Sequence, residues 1–272
     1  MKDNLNIGII GAGNMGSAML RGIITEYIPN KIMVSDIDKS KLTTLQAETG
    51  IKITESIDEI INFSNLLLLA VKPDITPKIA AGLKNYSGII VSIAAGISIN
   101  TIKANAGEDK KIVRAMPNAP VNVKAGMTVM SHTDNLSSNE IDIIKSFFST
   151  VGETLVMDEK FMNAVTAISG SGPAYLFTFL QAMADGGVKL GIPRQESLLL
   201  ASQTILGSIK IFLDKKENPI TLREKITSPG GTTIEALHVL EKAGFSGIIM
   251  DAIEAAAKKS EELGNYANNF TI

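Results

Sequence analysis

A glycine-rich turn near the N-terminus constrains this chain more than any other feature of its sequence. Gly11, Gly13 and Gly16 follow an apolar run from Asn6 to Ile10 and open an amphipathic stretch from Met15 to Ile24. In a strand–turn–helix, this spacing lets the backbone approach a pyrophosphate. The helix N-terminus then stabilises the negative charge of the pyrophosphate. The motif predicts a dinucleotide site formed by Gly11, Ala12, Gly13, Asn14, Met15 and Gly16.

The first 158 residues alternate short apolar runs with stretches of helical periodicity. The strand candidates are Asn6–Ile10, Lys31–Ser35, Leu66–Val71, Ile89–Ile93, Ile112–Ala115, Met127–Met130 and Thr154–Met157. Helices are predicted over Met15–Ile24, Lys39–Thr49 and Ser138–Val151. Runs that are apolar throughout are typical of parallel strands covered by helices on both faces. The pattern therefore predicts an α/β fold with an N-terminal doubly wound sheet of the Rossmann type.

Residues after 158 show helical periodicity and no alternating strand pattern. The predicted helices are Pro173–Leu190, Pro193–Leu213, Thr233–Ala243 and Ser246–Leu263. We therefore expect two domains, a dinucleotide-binding domain over 1–158 and an all-α C-terminal domain over 159–272. Ser197–Ile209 is apolar around most of its circumference, which predicts burial in a subunit interface. A central helix within one subunit is the alternative.

Composition excludes several classes of site and partner. The formal net charge of −2 provides no positive field for nucleic acid or an anionic membrane. The absence of cysteine excludes disulfides and thiolate metal sites, and His132 and His238 lack metal-binding spacing. The N-terminal residues do not resemble a signal peptide, and the apolar run at 65–71 is shorter than the roughly 20 residues of a membrane span. We expect a cytoplasmic protein without metal, nucleic acid or membrane partners.

The end of the second predicted strand bears on which dinucleotide is bound. Ser35 and Asp36 stand there, and an acidic side chain at this place accepts from ribose hydroxyls and repels a 2′-phosphate. Asp36 therefore gives a slight preference for NADH. Lys39 and Lys41 follow closely and could pair with the phosphate of NADPH, so both cofactors stay open.

Six motifs, in order and spacing, give the chain a resemblance to a known family over essentially its whole length. They are Gly11–Gly16, Ala70–Pro73, Ser92–Gly96, Arg114–Pro120, Ser169–Tyr175 and Ser228–Thr233. The chain resembles the pyrroline-5-carboxylate reductases, which catalyse the last step of proline biosynthesis. The resemblance implies reduction of 1-pyrroline-5-carboxylate to L-proline with NADPH or NADH by a homodimer or a higher oligomer of dimers.

The resemblance also implies roles for individual residues. Beyond the first turn and Ser35 and Asp36, it assigns cofactor binding to Ala70, Val71, Lys72, Pro73, Ala94 and Asn118. It assigns the substrate carboxylate to Gly231, Thr232 and Thr233, places Ser171 at the pocket, and gives the Thr233 hydroxyl a catalytic contact with the ring nitrogen. A glycine turn before a helix can hold a carboxylate without a lysine. Without the resemblance, an ordinary helix cap by Thr232 or Thr233 is the simpler interpretation.

Two other functions fit a dinucleotide turn followed by helices. A dehydrogenase of the 3-hydroxyisobutyrate or 6-phosphogluconate type needs a base, and its lysine follows a glycine pair like Gly170 and Gly172. Pro173–Thr178 contains no lysine, which argues against that class. A nucleotide-sensing protein without catalysis is the second alternative, and it would bind dinucleotide without turning over any cyclic imine.

Overall fold

The computed structural model describes residues 5–268, with side chains described as far as residue 265. Residues 1–4, which contribute to the expectation that no signal peptide is present, lie outside the described residues. The chain forms two compact units, one of residues 1–171 together with 254–272 and the other of residues 172–253. The boundary expected at 158/159 marks the end of the strand pattern and stays a prediction.

The first unit contains an eight-stranded sheet in the order β3-β2-β1-β4-β5-β6-β7-β8. The strands are β1 (Ile7–Ile10), β2 (Ile32–Ser35), β3 (Lys52–Thr54), β4 (Leu66–Leu69), β5 (Ile89–Ser92), β6 (Lys111–Met116), β7 (Gly126–His132) and β8 (Gly152–Val156). Only the β6–β7 pair is antiparallel within this sheet of the described chain. The sheet confirms the predicted α/β fold class.

Helices cover both faces of this sheet. They are α1 (Asn14–Ile23), α2 (Lys39–Thr49), α3 (Ile57–Phe63), α4 (Thr76–Ala81), α5 (Ile99–Ala106), α6 (Ser138–Ser149) and α7 (Met162–Val165). The four leucines of β4 show why its sequence is apolar throughout. Leu66 and Leu68 belong to one buried apolar cluster, whereas Leu67 and Leu69 belong to a second cluster. Because successive strand residues point to opposite faces, a strand covered on both faces needs an apolar residue at every position.

The second unit is helical. It contains α8 (Gly172–Lys189), α9 (Arg194–Lys215), α10 (Pro219–Lys225), α11 (Thr232–Lys242) and the beginning of α12 (Phe245–Asn268). A π-helical turn at Thr166–Gly170 precedes α8. The sequence pattern predicts four of these helices to within a few residues and misses α10, which is only seven residues long.

Helix α9 is the one described helix that is long and apolar enough, by length and composition alone, to cross a membrane. Its apolar residues are exposed along the helix, as with Leu199 at 68% and Leu206 at 63%. A helix that packs against protein can have the same length and composition. Such an exposed apolar surface is typical of a helix that packs against another protein surface.

Candidate functional site

The glycine-rich turn between β1 and α1 gives each of its three glycines a distinct environment. Gly11 has φ +106°, a conformation that L side chains rarely adopt. A Cβ at Gly16 would collide with the carbonyl oxygen of Gly11. A Cβ at Gly13, by contrast, would meet no atom of the described residues within 4 Å. Gly11 and Gly16 are thus required by the fold, whereas the space beside Gly13 is open to a ligand.

Hydrogen bonds fix this turn to the neighbouring strands. The Gly11 N–H donates to the carbonyl of Ser35 at 2.8 Å, and the Ala70 N–H donates to the carbonyl of Ile10 at 2.8 Å. The turn lies between β2 and β4, where strand order reverses and open α/β sheets place their ligands. The backbone beside Gly13 is therefore held in place before any ligand arrives.

The N-terminus of α1 has the electrostatics of an anion site. Gly13 is its N-cap, no side chain of residues 5–265 caps it, and its first turn contains no acidic residue. The first N–H groups of a helix have no partner within the helix and carry a partial positive charge. This end of α1 fits a pyrophosphate, as the sequence motif predicts.

A cavity of about 290 Å³ adjoins the turn on the side of α2. Besides residues of the turn, it is lined by the polar side chains of Ser17, Arg21, Ser40, Lys41 and Thr44. Lys41 lies 3.5 Å from Asp38, whose pKa is held below its ordinary value by the Ser40 hydroxyl and by the Lys41 N–H and charge. Lys39, in contrast, pairs with Glu55 at 2.9 Å. Of the two lysines singled out from the sequence, only Lys41 lines the cavity.

Asp36 is joined directly to the glycine-rich turn. One carboxylate oxygen accepts from the Ala12 N–H at 2.6 Å, and the other accepts from the Asp38 N–H at 2.9 Å. A carboxylate has about four acceptor positions, so both oxygens can still receive a ribose hydroxyl. The adjacent Ile37 is fully exposed and was not predicted as a site residue.

The other cofactor residues suggested by the resemblance follow β4, β5 and β6. Val71 is half-buried, while Lys72 is exposed and forms no ion pair with any residue that the structure describes. Ala94 is buried, and its N–H donates to the Ser92 hydroxyl at 3.3 Å. Because β1, β2, β4, β5 and β6 are parallel, their carboxyl ends bring these loops and the glycine-rich turn to one edge of the sheet.

The side-chain amide of Asn118 forms hydrogen bonds within the protein. Its carbonyl oxygen accepts from the Met127 N–H at 2.8 Å. Its nitrogen donates to the carbonyl and the hydroxyl oxygen of Ser169, both at 3.2 Å. The side chain thus joins the loop after β6 to β7 and to the π-helical turn. Ser171, which directly follows that turn, donates its N–H to the carbonyl of Thr166 at 2.9 Å.

The second glycine turn, in the helical unit, forms another open helix N-terminus. Gly230 has φ +66°, and Gly231 is the N-cap of α11, with no side chain in the described part of the chain capping it. Thr232 and Thr233 are the first two residues of the helix rather than its cap. The simpler interpretation, a threonine cap, is therefore wrong. Glu235 is an acidic residue in the first turn of α11.

Comparison with known proteins adds the following similarities. A family model for pyrroline-5-carboxylate reductase dimerisation matches residues 159–263. A model for coenzyme F420-dependent NADP oxidoreductases matches residues 6–96. The pyrroline-5-carboxylate reductase of Synechocystis is 39% identical over 265 residues, which cover 96% of this chain and 99% of that protein.

Solved structures give the same picture. Plasmodium falciparum pyrroline carboxylate reductase, crystallised with NADP bound, is 32% identical, with a TM-score of 0.87 and coverage of 96% of this chain and 99% of that one. The pyrroline-5-carboxylate reductase of Coxiella burnetii is 31% identical, with a TM-score of 0.90 and the same coverage. These likenesses extend over both compact units.

Proposed function

This chain belongs to the pyrroline-5-carboxylate reductase family, and we propose that it reduces 1-pyrroline-5-carboxylate to L-proline with NADPH or NADH. The observation that carries the proposal is a pair of helix N-termini, α1 and α11, each preceded by glycines. Both lack a side-chain cap within the described residues. One fits a pyrophosphate and the other fits a small carboxylate, as the two reactants require.

The first unit supplies the cofactor residues. The open backbone at Gly13 and the N–H groups of Asn14, Met15 and Gly16 bind the pyrophosphate. Ser35 and Asp36 lie at the adenosine end, and Ala70, Val71, Lys72, Pro73 and Ala94 line the nicotinamide end. The bound cofactor supplies the hydride. Asn118 lies with them near the nicotinamide, and its contacts with Ser169 and Met127 hold its loop in place.

The substrate residues are Gly231, Thr232, Thr233 and Ser171. The open N–H groups at the start of α11 hold the carboxylate without a basic side chain, and the Thr233 hydroxyl donates or accepts at the ring nitrogen. A protonated imine is already electrophilic at carbon, so the protein needs mainly to orient its reactants.

The proposed reaction is tested by oxidation of NADPH and NADH in the presence of 1-pyrroline-5-carboxylate, with L-proline measured as the product. The control substrate is 1-pyrroline, the same ring without the carboxylate. We expect kcat/KM to fall by about 10²-fold for 1-pyrroline, because the carboxylate contacts at α11 are lost. Dinucleotide binding without turnover of either imine would instead support a nucleotide-sensing protein.

The two cofactors are distinguished by opposite charges at the adenosine end. We propose that Lys41 favours NADPH and that Asp36 keeps NADH competitive. Lys41→Ala should lower kcat/KM for NADPH by about tenfold and leave NADH nearly unchanged, since one charge-assisted contact is worth roughly 1.4 kcal/mol. Asp36→Asn should instead raise kcat/KM for NADPH relative to kcat/KM for NADH. Lys39→Ala is the control, because Lys39 pairs with Glu55. Equal changes in kcat/KM for NADPH and NADH would contradict the roles proposed for Lys41 and Asp36.

We propose that a second copy of this chain covers the apolar surface of α9, giving a homodimer or a higher oligomer of dimers. The dimerisation model matches residues 159–263, which include all of α9. Light scattering should therefore give at least twice the chain mass of 28.9 kDa. Leu206→Glu should shift the protein toward monomer, because burying an unpaired charge is costly. A monomeric wild type would contradict the proposed dimer. Recovery of the wild type in the membrane fraction would contradict the cytoplasmic location that we propose with it.

A further inference from the structure

Two glycines from distant parts of the chain meet at the turn that follows β5. Gly96 lies in that turn with φ +77°, and Gly264 lies near the end of α12. A Cβ at Gly96 would lie 2.8 Å from the backbone nitrogen of Gly264, and a Cβ at Gly264 would lie 2.6 Å from the carbonyl oxygen of Gly96. Both residues belong to the first compact unit. The helix backbone therefore contacts the turn backbone directly, with no room for a side chain on either side.

One helical turn before Gly264, a hydrogen bond from Ser260 holds the same face of α12. The Ser260 hydroxyl donates to the side-chain oxygen of Asn163 at 3.0 Å, and Ser260 is only 5% exposed. Residues four apart share one face of a helix, so Ser260 and Gly264 pack together against the first unit. Glu261 and Glu262 are exposed to solvent. This end of α12 is thus fixed by a partly buried hydrogen bond and a glycine contact.

The turn itself is held at both of its ends by other side chains. At its start the Ser92 hydroxyl accepts from the Ala94 N–H. At its end Glu159 accepts from the Ile99 N–H at 2.8 Å and from Arg114 at 3.0 Å. Arg114 is 7% exposed and the Glu159 side chain is 29% exposed, so this ion pair is partly shielded from water. Between these ends, Gly264 is the residue against which the backbone of Gly96 packs.

We propose that Gly264 is a positioning residue that sets the Ala94–Gly96 turn against the nicotinamide half of the cofactor. The proposal rests on the proposed function, in which this turn lines the nicotinamide. A methyl group at Gly264 must shift the turn or the end of α12 that packs on it, because the opposing atoms are backbone and cannot rotate away. The adenosine half binds at the ends of β1 and β2 and should not be affected.

The test compares NADH with ADP-ribose, which contains the pyrophosphate and adenosine but no nicotinamide. Calorimetry with purified Gly264→Ala protein should show a Kd for NADH raised about tenfold, while the Kd for ADP-ribose stays within about twofold of wild type. Glu261→Ala, on the exposed side of the same helical turn, should leave both constants unchanged. This is a binding measurement, so a wild type that fails to reduce the imine would overturn the proposed function without affecting this result.

Three results would overturn the positioning role. They are an unchanged Kd for NADH, an equal loss of affinity for NADH and ADP-ribose, and a loss of affinity for NADH that Glu261→Ala reproduces. If Gly264→Ala does not fold, Ser260→Ala tests the positioning role instead, because it removes the hydrogen bond to Asn163 without adding volume. Ser260→Ala should then raise the Kd for NADH about threefold and leave ADP-ribose unaffected. Equal effects on the two ligands in that variant would also contradict the proposal.

Discussion

Replacing Thr233 by alanine should lower kcat with 1-pyrroline-5-carboxylate by about 10²-fold, the loss typical of removing one hydrogen bond made in the transition state. Thr233 is the second residue of α11 and does not act as its cap. Alanine is a better helix former than threonine, so α11 should persist. The Kd for NADPH should stay within about twofold of wild type, since the residues proposed for the cofactor lie elsewhere.

The control for this experiment is Thr233→Ser, which retains the hydroxyl and should recover most of the turnover. A pre-steady-state measurement of hydride transfer, followed by loss of NADPH absorbance, separates the chemical step from product release. Unchanged turnover in Thr233→Ala would remove the role proposed for the hydroxyl. Failure of Thr233→Ser to recover activity would show that the methyl group, through packing, is what matters.

The sequence predicts most of the fold because the largest elements have strong patterns. The four leucines of β4 are apolar at every position because helices cover both faces of the sheet. Strand β3 was missed because it is three residues long and Lys52 in it is exposed. Helices α3 and α4, with seven and six residues, are too short for a 3.6-residue period to emerge.

The candidate site is predicted only in part, because local motifs indicate backbone conformation but not contacts between residues far apart in sequence. The G-x-G-x-x-G spacing implies the open space at Gly13, and the structure has it. No local pattern shows that Ala12 donates to Asp36 or that Ser169 occupies the amide of Asn118. Gly264 is equally hidden, since its partner Gly96 is far away in sequence. Its one signal is a glycine inside a helix, which often has a packing reason.

The glycine-rich turn allows fold and cofactor binding to be separated with one type of substitution at two positions. Gly13→Val adds a side chain whose Cβ would meet no atom of the described residues within 4 Å, and Gly13 already has an extended backbone that valine adopts readily. Gly16→Val adds the same side chain against the carbonyl of Gly11. The first change should block the pyrophosphate, whereas the second should strain the turn itself.

Thermal unfolding with and without NADPH measures both effects. Gly13→Val should melt close to wild type without cofactor, and its Kd for NADPH should rise by at least about 10²-fold. Since a ligand stabilises by RT ln(1 + [L]/Kd), the rise in Tm that NADPH gives wild type should largely disappear. Gly16→Val should lose about 1–3 kcal/mol without any cofactor, the usual cost of overpacking. A Gly13→Val protein that retains its NADPH-dependent rise in Tm would show that the pyrophosphate binds elsewhere.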